Sequence, residues 1–207
     1  MTTLRLVVIR HGDTDWSRER RFAGSRDVAL AATGHAQGEA VARALEPLPV
    51  AAVYASPLER TRAFAEAIAK PHRLEVRLEA AFREMAFGRW EGLTREEVSA
   101  RFPDLYATWR TAPERVTPPD GESLAEVAER VARGLEELRE AHEGETVVLV
   151  THAIVSRLIV LGALGLGLER LWSVDSSPAG ITEIEYQGGW VTVQRMNTQA
   201  HLGALGA

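Results

Sequence analysis

Residues 4–14 read LRLVVIRHGDT, a largely apolar run that stops at Arg10 and His11 and is followed by Gly12. A short run of leucine and β-branched side chains is typical of a buried strand. Glycine after a polar pair is typical of places where the backbone must approach a ligand closely. The stretch therefore predicts a first strand over residues 4–9 that carries an arginine and a histidine at its carboxyl end.

The rest of the chain alternates strand-like and helix-like segments, which predicts an α/β fold with a mostly parallel sheet and helices on both faces. The further predicted strands are 50–55, an edge strand at 74–78, and 146–150. The predicted helices are 34–45, Ser56 to about residue 69, a long amphipathic helix after Ser123, and 154–164. Residues 181–186 and 190–195 flank a Gly-Gly pair and predict a closing hairpin.

Three tetrapeptides predict helix starts. In SPLE, Ser56 is the predicted cap, Pro57 the first helical residue and Glu59 the end of a capping box. Thr94 and Ser123 are each followed three residues later by glutamate and predict two more boxes. We expect one domain over 1–207, with a small helical insert at about 90–120 where aromatic and proline residues concentrate.

The composition excludes several classes of protein. The 207 residues contain no cysteine, which excludes disulfide scaffolds, thiol nucleophiles and cysteine-bound metal sites. A formal net charge of −5 argues against nucleic acid as a partner. Lys70 is the only lysine, and we attribute most of the arginine excess to composition bias rather than to function.

No segment reads as a membrane span or a leader, so we expect a cytoplasmic protein without a membrane partner. The apolar run at 6–9 is too short for a signal peptide. The apolar stretch 147–168 is interrupted by His152, Ser156 and Arg157, which favours a buried strand and helix.

Polar residues follow three predicted strands at the point where each strand ends: Arg10-His11, the segment from Ser56 to Arg60, and Thr151-His152. Ligands of parallel α/β sheets bind outside the carboxyl ends of the strands, and a helix start offers free N–H groups to an anion. Taken singly, either histidine could be structural and either arginine could face solvent. Their conjunction predicts a phosphate site.

These residues fall within motifs that resemble the histidine phosphatase superfamily, the phosphoglycerate mutase-like clan, in its phosphatase and alpha-ribazole phosphatase branch. The motifs run in family order over nearly the whole chain. They are RHGDT with Trp16, RFAG followed by DVAL, TGHAQ, SPLERT, REMAFGRWEG, GES, TH at Thr151-His152, and NTQAHL.

The resemblance implies a covalent mechanism with His11 as nucleophile, Glu84 as proton donor and His152 completing the pocket. Arg10 and Arg60 are implied to bind the phosphoryl oxygens. Weaker phosphate contacts are assigned to Thr14, Ser17, Arg21 and Ala153. Arg83, like Arg21, lies within a matching motif and could contact or support the phosphate site, and Arg62 has a weaker claim. No metal or other cofactor is implied, because guanidinium and imidazole groups can stabilise the developing charge.

The chemistry implied for Glu84 requires a protonated acid. Nearby arginines favour its carboxylate form, whereas burial against Met85 and Phe87 favours the protonated form, and the sequence leaves this open. An exposed surface carboxylate is the alternative.

The sequence departs from the family pattern at several positions. Asp13 replaces the usual glutamate, Ser17 an asparagine, Ala23 a glutamine or serine, and Ala153 a glycine. Phosphate affinity or substrate choice could differ as a result, although the implied nucleophile, arginines and acid are all present.

We expect a metal-independent phosphatase acting on a small phosphorylated metabolite. A cofactor-dependent phosphoglycerate mutase is the alternative, disfavoured because MAFG follows Glu84 where mutases of the family carry an Arg-His-Tyr-Gly type segment. A silent phospholigand-binding module is a third hypothesis. The aromatic residues Phe102, Tyr106 and Trp109 either form a lid that stacks on substrate or pack as a small core, and the oligomeric state is left open.

Overall fold

The computed structural model describes residues 3–206 and contains a six-stranded sheet. In chain order the strands are β1 (Thr3–Arg10), β2 (Val50–Ala55), β3 (Val76–Leu78), β4 (Thr146–Thr151), β5 (Ile181–Gln187) and β6 (Trp190–Thr198). Their order across the sheet is β3-β2-β4-β1-β5-β6, parallel from β3 to β1 and antiparallel at β5 and β6. The predicted fold class, the edge strand and the closing hairpin are confirmed.

The strand register brings three predicted polar segments to one edge of the sheet. Arg10 of β1 pairs with Thr151 of β4, and Ala55 of β2 pairs with Val150 of β4. Because these strands run parallel, the residues that follow them emerge on the same side. Those residues are His11, Ser56 and His152.

Helices cover both faces of the sheet. They are α1 (Asp15–Arg18), α2 (Ala32–Leu45), α3 (Glu59–His72), α4 (Arg95–Arg101), α5 (Pro103–Thr111), α6 (Leu124–Ala141) and α7 (Ala153–Leu164). Alternate side chains of β1 point to opposite faces and enter two cores. Val7 and Ile9 pack with α2 and α3, whereas Leu6 and Val8 pack with α6 and α7.

The predicted start of α3 was wrong in detail. The helix begins at Glu59 with Leu58 as N-cap, and Ser56 does not cap it. The backbone N–H of Glu59 instead donates to Oδ1 of Asp27 at 2.7 Å, so a distant carboxylate occupies the amide that we expected to be free for an anion. The capping boxes at Thr94 and Ser123 are confirmed.

The aromatic insert packs against the body of the protein. Trp109 of α5 is 3% exposed and makes edge contacts with Phe87, Trp90 and Trp172. This supports the interpretation that part of the insert forms a small core. Closure over a substrate as a lid stays a prediction.

Among the helices in the described part of the chain, none combines the length and the apolar character that a membrane crossing requires.

Candidate active site

A cavity of about 570 Å³ opens at the carboxyl ends of β1 and β4. Its walls come from the loop after β1, the residues around α1, the starts of α3, α4 and α7, the loop that carries Glu84, helix α5 and the segment before β5. The lining includes the predicted site residues Arg10, His11, Thr14, Ser17, Arg21, Arg60, Glu84 and Ala153. Thus most residues selected from the sequence meet in one place.

Gly12 allows the loop after β1 to pack tightly against α2. A Cβ at this position would lie 2.7 Å from the carbonyl oxygen of Gly34 and 2.8 Å from the ring of Phe64. Any side chain would therefore displace the loop that carries His11.

His11 is held in one tautomer. Its Nδ1 lies 2.7 Å from the carbonyl oxygen of Gly12, which can only accept, so Nδ1 carries the proton. Nε2 is unprotonated, and its lone pair accepts from Nε of Arg60 at 3.3 Å. Burial lowers the pKa of the imidazole well below its ordinary value, and the charges of Arg60 and Arg10 lower it further. The ring is therefore neutral and potentially nucleophilic near neutral pH.

Arg60 of α3 is 1% exposed and its guanidinium is fixed by the loop after α1. One terminal nitrogen donates to the carbonyl oxygen of Arg26 at 2.7 Å and the other to that of Gly24 at 2.9 Å. A guanidinium has five N–H bonds, so one N–H on each terminal nitrogen stays available for an anion. Burial lowers the pKa of this group from its ordinary high value.

His152 is fully buried and hydrogen-bonded to Ser56, with 2.7 Å between Nε2 and Oγ. Oγ also accepts from the backbone N–H of Leu58 at 3.3 Å and lies 3.1 Å from Oγ1 of Thr61. The other ring nitrogen, Nδ1, has no partner within residues 3–206. Burial lowers the pKa of His152 well below its ordinary value, followed by the effect of Arg60. The ring lies edge-on to His11 with 5.3 Å between the centroids.

Arg10 ends β1 and reaches the segment before β5. Its Nη1 donates to the carbonyl oxygen of Ser176 at 2.6 Å, while its buried Nε has no partner among the described residues. Burial and then the charge of Arg157 lower the pKa of Arg10 to about 10, so it stays cationic at neutral pH.

Glu84 is 8% exposed and lines the cavity, which contradicts the alternative of a surface carboxylate. Both carboxyl oxygens lie 3.3 Å from the backbone N–H of Ile154 in the first turn of α7, and Oε1 accepts from the N–H of Met85 at 3.0 Å. The helix start thus fixes the carboxyl group beside the histidine that precedes α7.

Arg130 of α6 holds the loop that carries Glu84. It donates to the carbonyl oxygens of Ala81, Arg83 and Glu84 at 2.8, 2.7 and 3.2 Å. It also pairs with both carboxyl oxygens of Glu122 at 3.0 Å. Sequence reasoning missed this residue, because nothing in an amphipathic helix pattern distinguishes it from a solvated arginine.

The weaker predicted contacts divide between the cavity and its surroundings. Thr14 and Ser17 line the cavity but also cap α1 reciprocally, with side chain to backbone distances of 3.0 and 2.9 Å. Arg21 is paired with Glu19 and donates to the carbonyl oxygen of Gly92 at 2.8 Å. Of the weakest claims, neither Arg62 nor Arg83 is part of the lining.

The structure adds cavity residues that the motifs did not include. They are Arg20, Arg95, Arg110, Arg157, Trp172 and Asp175. For Arg157 a signal existed, because it is one of the polar residues that interrupt an otherwise apolar stretch and it lies in the helix after His152. Arg20, Arg95 and Arg110 could not be distinguished from other exposed arginines by spacing.

Within residues 3–206, no three histidine, aspartate or glutamate side chains are grouped so that they could hold a metal ion.

The fold and this cavity define an α/β protein with a neutral, buried histidine between fixed guanidinium groups, an arrangement suited to anionic substrates. Family comparison assigns the class: the model of the histidine phosphatase superfamily, branch 1, matches residues 6–199. The chain belongs to this superfamily, and the resemblance deduced from its motifs is confirmed. Membership places it among the enzymes that hydrolyse phosphomonoesters.

Individual proteins agree with the assignment. The chain is 33% identical to phosphoserine phosphatase 1 of Hydrogenobacter thermophilus over 97% of its length and 95% of the relative. It is 32% identical to a protein named probable phosphoglycerate mutase GpmB from Shigella boydii, over 97% and 96% of the two chains. The solved structure of Bacillus stearothermophilus YhfR superposes with a TM-score of 0.91 at 30% identity, covering 96% of this chain and 99% of the other.

Proposed function

We propose that the protein is a metal-independent phosphatase that hydrolyses a small phosphomonoester through a phosphohistidine on His11. The observation that carries the proposal is that an unprotonated Nε2 on His11, which accepts only from Arg60 at 3.3 Å, lies near two buried nitrogens without partners among residues 3–206. They are Nε of Arg10 and Nδ1 of His152. Buried donors normally have acceptors, and phosphoryl oxygens would supply them.

In the first step, Nε2 of His11 attacks phosphorus while the bond to the ester oxygen breaks. Negative charge on the equatorial oxygens is stabilised by Arg10, Arg60 and the Nδ1–H of His152. The leaving oxygen takes a proton from Glu84 and departs as an alcohol.

In the second step, water attacks the phosphohistidine. Glu84, now a carboxylate, accepts the proton of the water as the new P–O bond forms and the P–N bond breaks. Inorganic phosphate leaves, and neutral His11 and protonated Glu84 are restored.

The test is hydrolysis of p-nitrophenyl phosphate in EDTA by the wild type and by His11→Ala. We expect the wild type to be active and the variant to lose at least about 10³-fold in kcat, because it lacks the nucleophile. Acid-labile, base-stable labelling by a phosphorylated substrate should occur only in the wild type. Equal activity of the two proteins would refute the mechanism, and inactivity of both would favour a silent phospholigand-binding module.

The relationship to the mutase named above supports a second candidate, a cofactor-dependent phosphoglycerate mutase. The segment 85–88 after the proposed acid favours the phosphatase. The two differ in their response to 3-phosphoglycerate with catalytic 2,3-bisphosphoglycerate: formation of 2-phosphoglycerate faster than release of phosphate would establish the mutase.

A further inference from the structure

The end of the chain lies against the segment that precedes β5. We call residues 197–202 the tail and residues 174–179 the bridge. The tail carries the motif NTQAHL, to which the proposed reaction gives no role. The bridge contributes Asp175 to the cavity. Contacts between the two segments therefore connect the end of the chain with the active site.

Three alternate side chains of the tail each bind a backbone group of one of three consecutive bridge residues. The pairs are Asn197 with Ser177, Gln199 with Pro178, and His201 with Ala179. Their distances are 2.8, 2.9 and 3.0 Å, in that order. Asn197 accepts from an N–H group, whereas the other two side chains face carbonyl oxygens, which only accept, and therefore donate. The tail thus holds the bridge in a fixed register.

Asn197 makes further contacts around the bridge. Its Nδ2 donates to Oδ2 of Asp175 and to Oγ of Ser177, both at 3.1 Å, and its backbone N–H donates to Oγ1 of Thr182 at 3.0 Å. Its φ of 50° lies in the left-handed region, which asparagine tolerates better than most other side chains. A Cβ on Gly180 would collide with its Oδ1. The backbone around the bridge is therefore fitted to this side chain.

The bridge in turn holds the end of β1. The carbonyl oxygen of Ser176 accepts from Nη1 of Arg10 at 2.6 Å. The backbone N–H of Ala179 donates to the carbonyl oxygen of Arg10 at 3.0 Å and lies 3.3 Å from that of His11. Ala179 is buried with a φ of 56°, a costly conformation that persists only where surrounding contacts impose it. The contacts on its two backbone groups come from β1 and from the tail.

The guanidinium of Arg10 depends on the bridge. Within residues 3–206 its bond to Ser176 is the only hydrogen bond that it makes, and its buried Nε has no partner. Arg60 differs, because two carbonyl oxygens fix its terminal nitrogens. We therefore expect a displaced bridge to disturb Arg10 and to leave Arg60 in place.

We propose that Asn197 is a positioning residue that acts through Arg10. By holding the bridge, it keeps the carbonyl oxygen of Ser176 where it orients the guanidinium toward the phosphoryl oxygens. Gln199 and His201 support it at the next two bridge residues. Asn197 is not part of the cavity lining, so its effect on the reaction is indirect. The inference rests on the proposed function for the role of Arg10.

The first experiment measures binding, so that it does not depend on turnover. Asn197→Gly removes the amide, and glycine adopts the left-handed backbone without strain. Calorimetry with inorganic phosphate should show binding about 5- to 10-fold weaker than in the wild type, as expected for the loss of about one hydrogen bond. Gln194→Ala is the matched control and should bind phosphate like the wild type, since Gln194 is exposed on the same strand and pairs with Glu185.

A double-mutant cycle separates positioning of Arg10 from a general loss of order. Asn197→Gly should lower kcat/KM for p-nitrophenyl phosphate about 10-fold in the wild-type background. In the Arg10→Gln background the loss should be less than about 2-fold, because no guanidinium is left to orient. Gln199→Ala removes a single contact and should reproduce the pattern with about a 3-fold loss, which keeps the test available if Asn197→Gly does not fold.

Equal losses in the two backgrounds would overturn the inference, as would phosphate binding by Asn197→Gly that equals wild-type binding. Failure of the proposed function gives a different result: phosphate binding that still depends on Asn197, without His11-dependent hydrolysis of p-nitrophenyl phosphate. The cycle is then measured on the dissociation constant of phosphate. Absence of phosphate binding in the wild type would overturn both proposals.

Discussion

Ser56 Oγ lies 2.7 Å from Nε2 of His152, so a serine at the end of one strand holds the ring of a histidine at the end of the neighbouring strand. The contact engages Nε2 and leaves Nδ1, which the proposed mechanism uses as the donor to a phosphoryl oxygen.

Ser56→Ala should lower kcat/KM for p-nitrophenyl phosphate about 10-fold, because His152 loses the hydrogen-bond partner that orients its ring. The free energy of unfolding should fall by about 1 kcal/mol from the lost buried hydrogen bond. Ser156→Ala is the control: its Oγ is also buried but has no partner among the described residues, so activity should be unchanged. Full activity of Ser56→Ala would show that catalysis does not need the contact between Ser56 and His152.

Glu84→Gln should affect substrates according to their leaving groups. The amide cannot supply a proton, so kcat for an alkyl phosphate should fall about 10²- to 10³-fold, within the range for general acids. p-Nitrophenolate needs little protonation, and its ester should lose clearly less in a measurement of phosphohistidine formation. Equal losses for both substrates would argue that Glu84 is not the proton donor.

Arg130→Ala should give a weaker version of the same pattern, since Arg130 holds the carbonyl oxygen of Glu84 at 3.2 Å without facing the reaction. We expect about a 10-fold loss of kcat with the alkyl ester, a smaller loss with the nitrophenyl ester, and an unchanged inhibition constant for inorganic phosphate. Arg133→Ala, on the exposed side of the same helix, should behave like the wild type. A rise in the phosphate inhibition constant would assign Arg130 a general structural role instead.

Most of the reaction centre could be predicted because its residues follow directly from strand ends, where the chain direction alone fixes their position. His11 and His152 are such residues, and the parallel register of β1 and β4 brings them together. Arg95 and Arg110 were not predictable in this way, since α4 and α5, which carry them, approach the cavity through tertiary packing of the insert.

The error at Ser56 has a similar origin. Its tetrapeptide matches a local capping pattern, but the backbone N–H of Glu59 finds a carboxylate 32 residues away in sequence, at Asp27. Because Asp27 accepts from the start of α3, the serine hydroxyl contacts His152 instead of capping the helix. Local helix propensity cannot predict this arrangement.

The stability of the ligand-free protein should fall as the pH is lowered below the ordinary histidine value of about 6.5. Burial, with Arg60 and Arg10 nearby, depresses the pKa of both His11 and His152, so below that pH the unfolded chain binds protons that the folded protein does not. Each histidine then removes at most about 1.4 kcal/mol per pH unit, while above pH 6.5 its contribution is complete. Denaturant titrations between about pH 7.5 and 5.5 measure this slope, to which His201 also contributes. His152→Asn should flatten it, whereas His35→Asn, on an exposed position of α2, should not. An unchanged slope in His152→Asn would mean that His152 is charged in the folded protein.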